Sequence, residues 1–78
     1  MTLLEATRQR ITELCEINHM NINQLAIASG INPSTIRSIF KVITKAPSSE
    51  TVYYICIGFG ISLKDFYNSN FFDDLDDD

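Results

Sequence analysis

Apolar residues recur along this chain at spacings of three and four, and the β-branched residues follow that period rather than the alternation of a strand. Leu4, Thr7, Ile11, Leu14 and Cys15 share one face of a first helix from Leu4 to Asn18, with Arg8, Gln9, Glu13 and Glu16 on the other. Asn21 then caps a second, two-turn helix. Gln24 is placed to complete a capping box, and Met20 and Leu25 to form a hydrophobic staple. Leu25, Ala26 and Ser29 point inward, and Gly30 ends the helix in the left-handed conformation. Asn32 caps a third helix with Pro33 at its first position and Ile36, Ile39 and Phe40 as its apolar stripe. After an irregular stretch from Val42 to Ser48, Ser48 caps a fourth helix that buries Val52, Ile55, Cys56 and Phe59 and stops at Gly60. Ser62 caps a short fifth helix, with Asp65 at its third position and Leu63 and Phe66 inward. The pattern predicts an all-α fold of five short helices.

Composition bounds what this fold does. Seventy-eight residues, 45% of them hydrophobic, support one small domain over residues 1–70, with an acidic tail at 71–78. Of the ten acids, five are Asp73, Asp74, Asp76, Asp77 and Asp78, so residues 1–72 set six bases against five acids. The body is near neutral and the net charge of −4 belongs to the tail, so overall acidity does not exclude a nucleic-acid partner. The tail is expected to be mobile from Asp73, with Phe71 and Phe72 anchoring its root. It reads either as a solubility tag or as a competitor for phosphate-binding cations. No apolar run approaches the ~20 residues of a membrane span, and Met1 to Glu5 does not open a signal peptide. A cytoplasmic protein without membrane contact is expected.

The catalytic vocabulary is thin. One histidine leaves no triad, and there is no glycine-rich phosphate loop, so neither an enzyme nor a cofactor is expected. No small-molecule ligand is evident either. Cys15 and His19 have the spacing of two metal ligands on a helix, but a structural zinc needs four, and only Cys56 and carboxylates remain; no metal is expected. Both cysteines read as reduced core thiols.

The informative segment runs from Asn21 to Ile39. A short helix, a glycine, an apolar residue, a cap and a second helix compose a helix-turn-helix, with Ala26 small at the crossing and Ile31 and Ile36 filling the gap between the helices. On Gln24-Leu25-Ala26, Ser29-Gly30-Ile31, Ser34-Thr35-Ile36, Pro47, Thr51-Val52 and Phe59-Gly60-Ile61-Ser62-Leu63 before Phe66, residues 6 to 67 resemble the Cro-repressor type (XRE) helix-turn-helix domain, a lambda-repressor-like fold of small phage and bacterial regulators.

That resemblance implies a DNA-binding transcriptional regulator, with double-stranded DNA as partner and a homodimer as the working form. The recognition helix would begin at the Asn32 cap and present Pro33, Ser34, Thr35, Arg37 and Ser38 to the major groove. Arg37, Lys41 and Lys45 would form a phosphate-binding stripe if helical spacing runs on to Lys45. The alternative is a plain solvated face. Where the family often has a phosphate-bonding glutamine, this chain has Ile22; where it often reads Asn-Gly-Lys, this chain reads Lys41-Val42-Ile43. Tyr53, Tyr54 and Ile57 on the outer face of the fourth helix, or the segment of Phe66, Phe71 and Phe72, would supply a dimer or partner seam. Alternatively the tyrosines pack under the acidic C-terminus. A rival function follows from the same features: a protein-interaction module on a helix-turn-helix scaffold with weak or no DNA binding.

Overall fold

Five helices follow one another in the computed structural model, which describes residues 1–76: α1 (Leu3–Ile17), α2 (Ile22–Ser29), α3 (Pro33–Lys41), α4 (Ser49–Phe59) and α5 (Leu63–Tyr67). A 3-10 turn at Asn70–Phe72 follows, and there is no strand among the described residues. Asp77 and Asp78, the end of the expected tail, lie outside them.

Each helix starts where a side chain takes up an otherwise orphaned N–H. Asn21 and Gln24 exchange hydrogen bonds of 2.8 Å, completing the capping box of α2. Asn32 accepts from the Ser34 N–H with Pro33 in the first helical position, and Ser48 and Ser62 accept from Thr51 and Asp65. The start of α1 is a second capping box, Thr2 with Glu5, which places the helix one residue earlier than its apolar stripe does. The Thr-x-x-Glu spacing was its signal.

The stops are equally local. Gly30 and Gly60 take φ of 70° and 72°, and each is followed by an N–H that reaches back five residues, Ile31 to Ala26 and Ile61 to Cys56. His19 ends α1 in the same way with φ of 54°, the Met20 N–H bonding the Cys15 carbonyl. Histidine tolerates this region better than most residues with a Cβ. His19 is therefore a helix terminator.

The core gathers Ile11, Leu14, Leu25, Ile36, Ile39, Val52, Ile55, Cys56, Phe59 and Phe66 from all five helices. Ile36 is fully buried and Ile31 packs half-buried against the cluster, as gap-fillers of a helix-turn-helix should. Ala26 is buried, and small size matters also at Gly58 in α4. A Cβ there would stand 2.2 Å from the Ser29 hydroxyl, so glycine lets α4 approach α2. Cys56 is buried, whereas Cys15 is only half-buried, a correction to the expectation of two core thiols.

The chain beyond α5 folds back onto α1 through the 3-10 turn. The Phe72 ring meets Tyr67 edge-on at 4.9 Å and lies 6.0 Å from Phe66. Contrary to a mobile chain from Asp73, the Asp76 N–H donates to the Met1 carbonyl at 2.9 Å, and its carboxylate pairs with the Met1 ammonium at 2.8 Å. Asp76 is thus tied to Met1, just ahead of α1.

Candidate nucleic-acid interface

The turn between α2 and α3 spans only Gly30 to Asn32, and three groups fix it: the left-handed glycine, the Ile31 plug and the Asn32 cap. With Ile36 and Ile39 facing the core, α3 must turn its remaining sides outward. Ser34, Thr35, Arg37 and Lys41 are exposed there. Ser34, Arg37 and Lys41 follow one another at three- and four-residue spacing, so they share one face of the helix.

Not every candidate residue is equally available. Asn32 is exposed but its carbonyl oxygen is spent on the cap, and Pro33 is half-buried at the first position. Ser38 is half-buried and its hydroxyl donates to the Thr35 carbonyl at 2.7 Å, turning it back into its own helix. Arg37 donates to the Asn23 side-chain oxygen at 2.7 Å, linking α3 to the first turn of α2. Lys45 is exposed but lies beyond the end of α3 at Lys41, so the regular stripe of Arg37, Lys41 and Lys45 does not form. The β-branched Val42 ends the helix, still in a right-handed conformation and 72% exposed.

Ile22 is half-buried against the core, which accounts for an apolar residue at the start of α2. An open groove runs between the end of α1, the start of α2 and α3, with Cys15, His19, Ile22, Arg37 and Phe40 on its walls. Burial pushes the Cys15 and Cys56 thiols up from their usual range, which disfavours thiolate chemistry in either place. Among the described residues no cluster of three or more His, Cys, Asp or Glu is arranged to hold a metal ion, and no helix is long and apolar enough to cross a membrane.

The residues suggested for a partner seam divide into two groups. Tyr53, Tyr54 and Ile57 are exposed at 50%, 44% and 49%, and the two tyrosine rings lie 5.7 Å apart. Both tyrosines remain exposed with the described part of the C-terminus in place. Phe66 is fully buried, so it serves the core and not a seam. Phe72 packs into the aromatic cluster with Phe66 and Tyr67, and Phe71, half-buried, lies by Arg8 and Phe40. Of the residues suggested for a seam, Tyr53, Tyr54 and Ile57 are the exposed ones. Sequence reading missed Arg8 and Arg10, assigned to a solvated face or left unplaced; both reach from α1 to the carbonyl ends of other helices. No periodicity signals such contacts, because their partners are backbone oxygens 31 and 55 or more residues away.

No protein-family model matches the chain, and no curated protein matches it. Among solved structures, the crystal structure of the prophage Lp1 protein 11 superposes with a TM-score of 0.79 at 30% sequence identity, covering 88% of this chain and 91% of that one. The fold is thus shared along nearly the whole of both chains. This five-helix protein belongs to the same family as the prophage Lp1 protein 11.

Proposed function

We propose that the protein is a sequence-specific DNA-binding transcriptional regulator of the Cro-repressor (XRE) type, acting by binding rather than catalysis and working as a homodimer. One observation carries this reading: the second helix of the helix-turn-helix turns Ser34, Thr35, Arg37 and Lys41 to solvent on a helix fixed at both ends. Short hydroxyl side chains near the start of such a helix suit base edges in the major groove, and Arg37 and Lys41 suit guanine or phosphate. A prophage relative fits a small phage regulator. Lys45, outside the helix, would reach backbone from the following loop.

The exposed Tyr53, Tyr54 and Ile57 favour a second reading, a protein-interaction module whose apolar face has replaced DNA contact. Fluorescence anisotropy on fragments flanking the coding region, repeated across salt, separates the two. A regulator binds with a log affinity that falls by about 0.9 per phosphate contact against log salt. Arg37→Ala then lowers that slope by about one contact, or costs ~1–3 kcal/mol at a single base pair if it reads guanine. Absence of binding at low salt decides for the interaction module.

A further inference from the structure

We propose that Arg8 is the C-terminal cap of α3 and hence a positioning residue for the recognition surface; its consequence for DNA rests on the function proposed above. The last carbonyls of a helix have no partner within it, and a left-handed residue normally supplies the closing bonds. The helices α1, α2 and α4 end this way at His19, Gly30 and Gly60. α3 keeps the bond that reaches back five residues, from the Ile43 N–H to the Ser38 carbonyl, but has no left-handed residue. Val42 keeps φ of −115° and ψ of −48°, and its N–H bonds the Ser38 carbonyl alone, whereas the Gly30 and Gly60 N–H groups also reach the carbonyl three residues back. The corresponding carbonyl of α3, that of Ile39, is left open.

Arg8 fills that gap from α1. Its Nε donates to the Ile39 carbonyl at 2.6 Å, inside the last turn of α3, and its Nη2 donates to the Ile43 carbonyl at 3.3 Å, just past the end. One planar fork thus clamps the helix terminus to the first residues of the following loop, with Lys41 between the two anchors. The positive charge also lies where the helix dipole is negative. α5 provides the internal parallel: it too lacks a left-handed end, and Arg10 donates to its Asp65 and Phe66 carbonyls at 2.8 and 2.7 Å. The helices without a left-handed terminus are those that receive an arginine from α1.

Amide hydrogen exchange on the intact chain tests this. In Arg8→Met and in Arg8→Lys, which keeps the charge but not the fork, the Val42 and Ile43 amides should exchange roughly tenfold faster or more, while Ile55 and Phe59 in α4 keep their protection. Val42→Gly in the Arg8→Met background should restore protection, since glycine can take the left-handed end that valine avoids. The proposal is overturned if protection at Val42 and Ile43 survives Arg8→Met, if Arg8→Lys preserves it fully, or if α4 loses protection in parallel. DNA affinity is read separately: Arg8→Met should weaken binding and Val42→Gly should recover it. A wild-type protein that binds no DNA overturns the proposed function while leaving the exchange result to decide the cap.

Discussion

A Cβ at Gly58 would meet the Ser29 hydroxyl oxygen at 2.2 Å, the Leu25 Cδ1 at 3.1 Å and the Ser29 Cβ at 3.2 Å, so a single hydrogen in place of a methyl sets how near α4 comes to α2. The same crossing holds an imperfection, because the Ser29 hydroxyl is buried without a hydrogen-bond partner. Alanine within a helix gains about 1 kcal/mol over glycine, whereas overpacking a fitted contact costs ~1–3 kcal/mol. Gly58→Ala should therefore lower stability in urea unfolding. Ser29→Ala should be neutral or stabilising, and combined with Gly58→Ala it should remove most of the loss, since the shortest contact is with the deleted oxygen. Equal losses in both backgrounds would show that Leu25, not Ser29, sets the spacing. The sequence places Ser29 on the inner face and Ala26 at the crossing of the helix-turn-helix, but does not mark the approach of α4 to α2. Sequence reading had no means of finding Gly58, because a glycine inside an apolar helix looks like any small residue until its neighbour is known.

Among the helices, α1 is the one whose start depends on an ionised side chain. Glu5 accepts from the Thr2 N–H at 2.9 Å, and bonds to the Thr2 backbone and side chain hold its carboxyl below the usual glutamate range. A carboxyl lowered in the folded state adds stability that is fully present above its unfolded pKa and is lost as pH falls through the folded value. The start of α1 should thus loosen on acidification below the ordinary glutamate range, around pH 4. Glu5→Gln, whose amide oxygen can still accept from the cap, should remove that part of the acid sensitivity while leaving neutral stability nearly unchanged; thermal melts from pH 3 to 7 read the difference. The helix ends are where sequence and structure agree most closely. Asn21, Gly30, Asn32, Ser48, Gly60 and Ser62 all act as their residue types predict, because a cap involves groups within a few positions of one another. The ends of α3 and α5 are the exceptions, and their partners stand on α1.

At the scale of the molecule, the outer face of α4 groups three exposed apolar residues, while Ile17, Ile27 and Val42 are exposed elsewhere. In the proposed homodimer, with Phe66 and Phe72 committed to internal packing, Tyr53, Tyr54 and Ile57 would form the face that pairs two copies across the two half-sites of an operator. Sedimentation at micromolar concentration should show a dimer, and Tyr54→Glu should return a monomer with an unchanged helical spectrum, because burying a carboxylate in an apolar seam carries a high desolvation cost. A wild-type monomer at every concentration, without DNA, would remove the preformed dimer and leave pairing to the DNA itself.

What the sequence determined by itself is the set of helices, most of their caps, the turn at Gly30 to Asn32 and nearly all of the core. Each of these rests on interactions within one turn or on a periodic apolar face, both of which are written in neighbouring residues. Tertiary structure decided the rest. It drew Arg37 onto Asn23, whereas the end of α3 at Lys41, which leaves Lys45 off the stripe, and the Ser38 bond back to Thr35 are local to that helix. It also moved Phe66 from a possible seam into the core and spent Arg8 and Arg10 on distant carbonyls. For Arg8, Arg10 and Arg37 the deciding partner lies on a different helix or in the chain beyond it, and how the helices pack sets it. A side chain long enough to reach between helices has its role fixed only when the packing brings that partner within hydrogen-bonding distance.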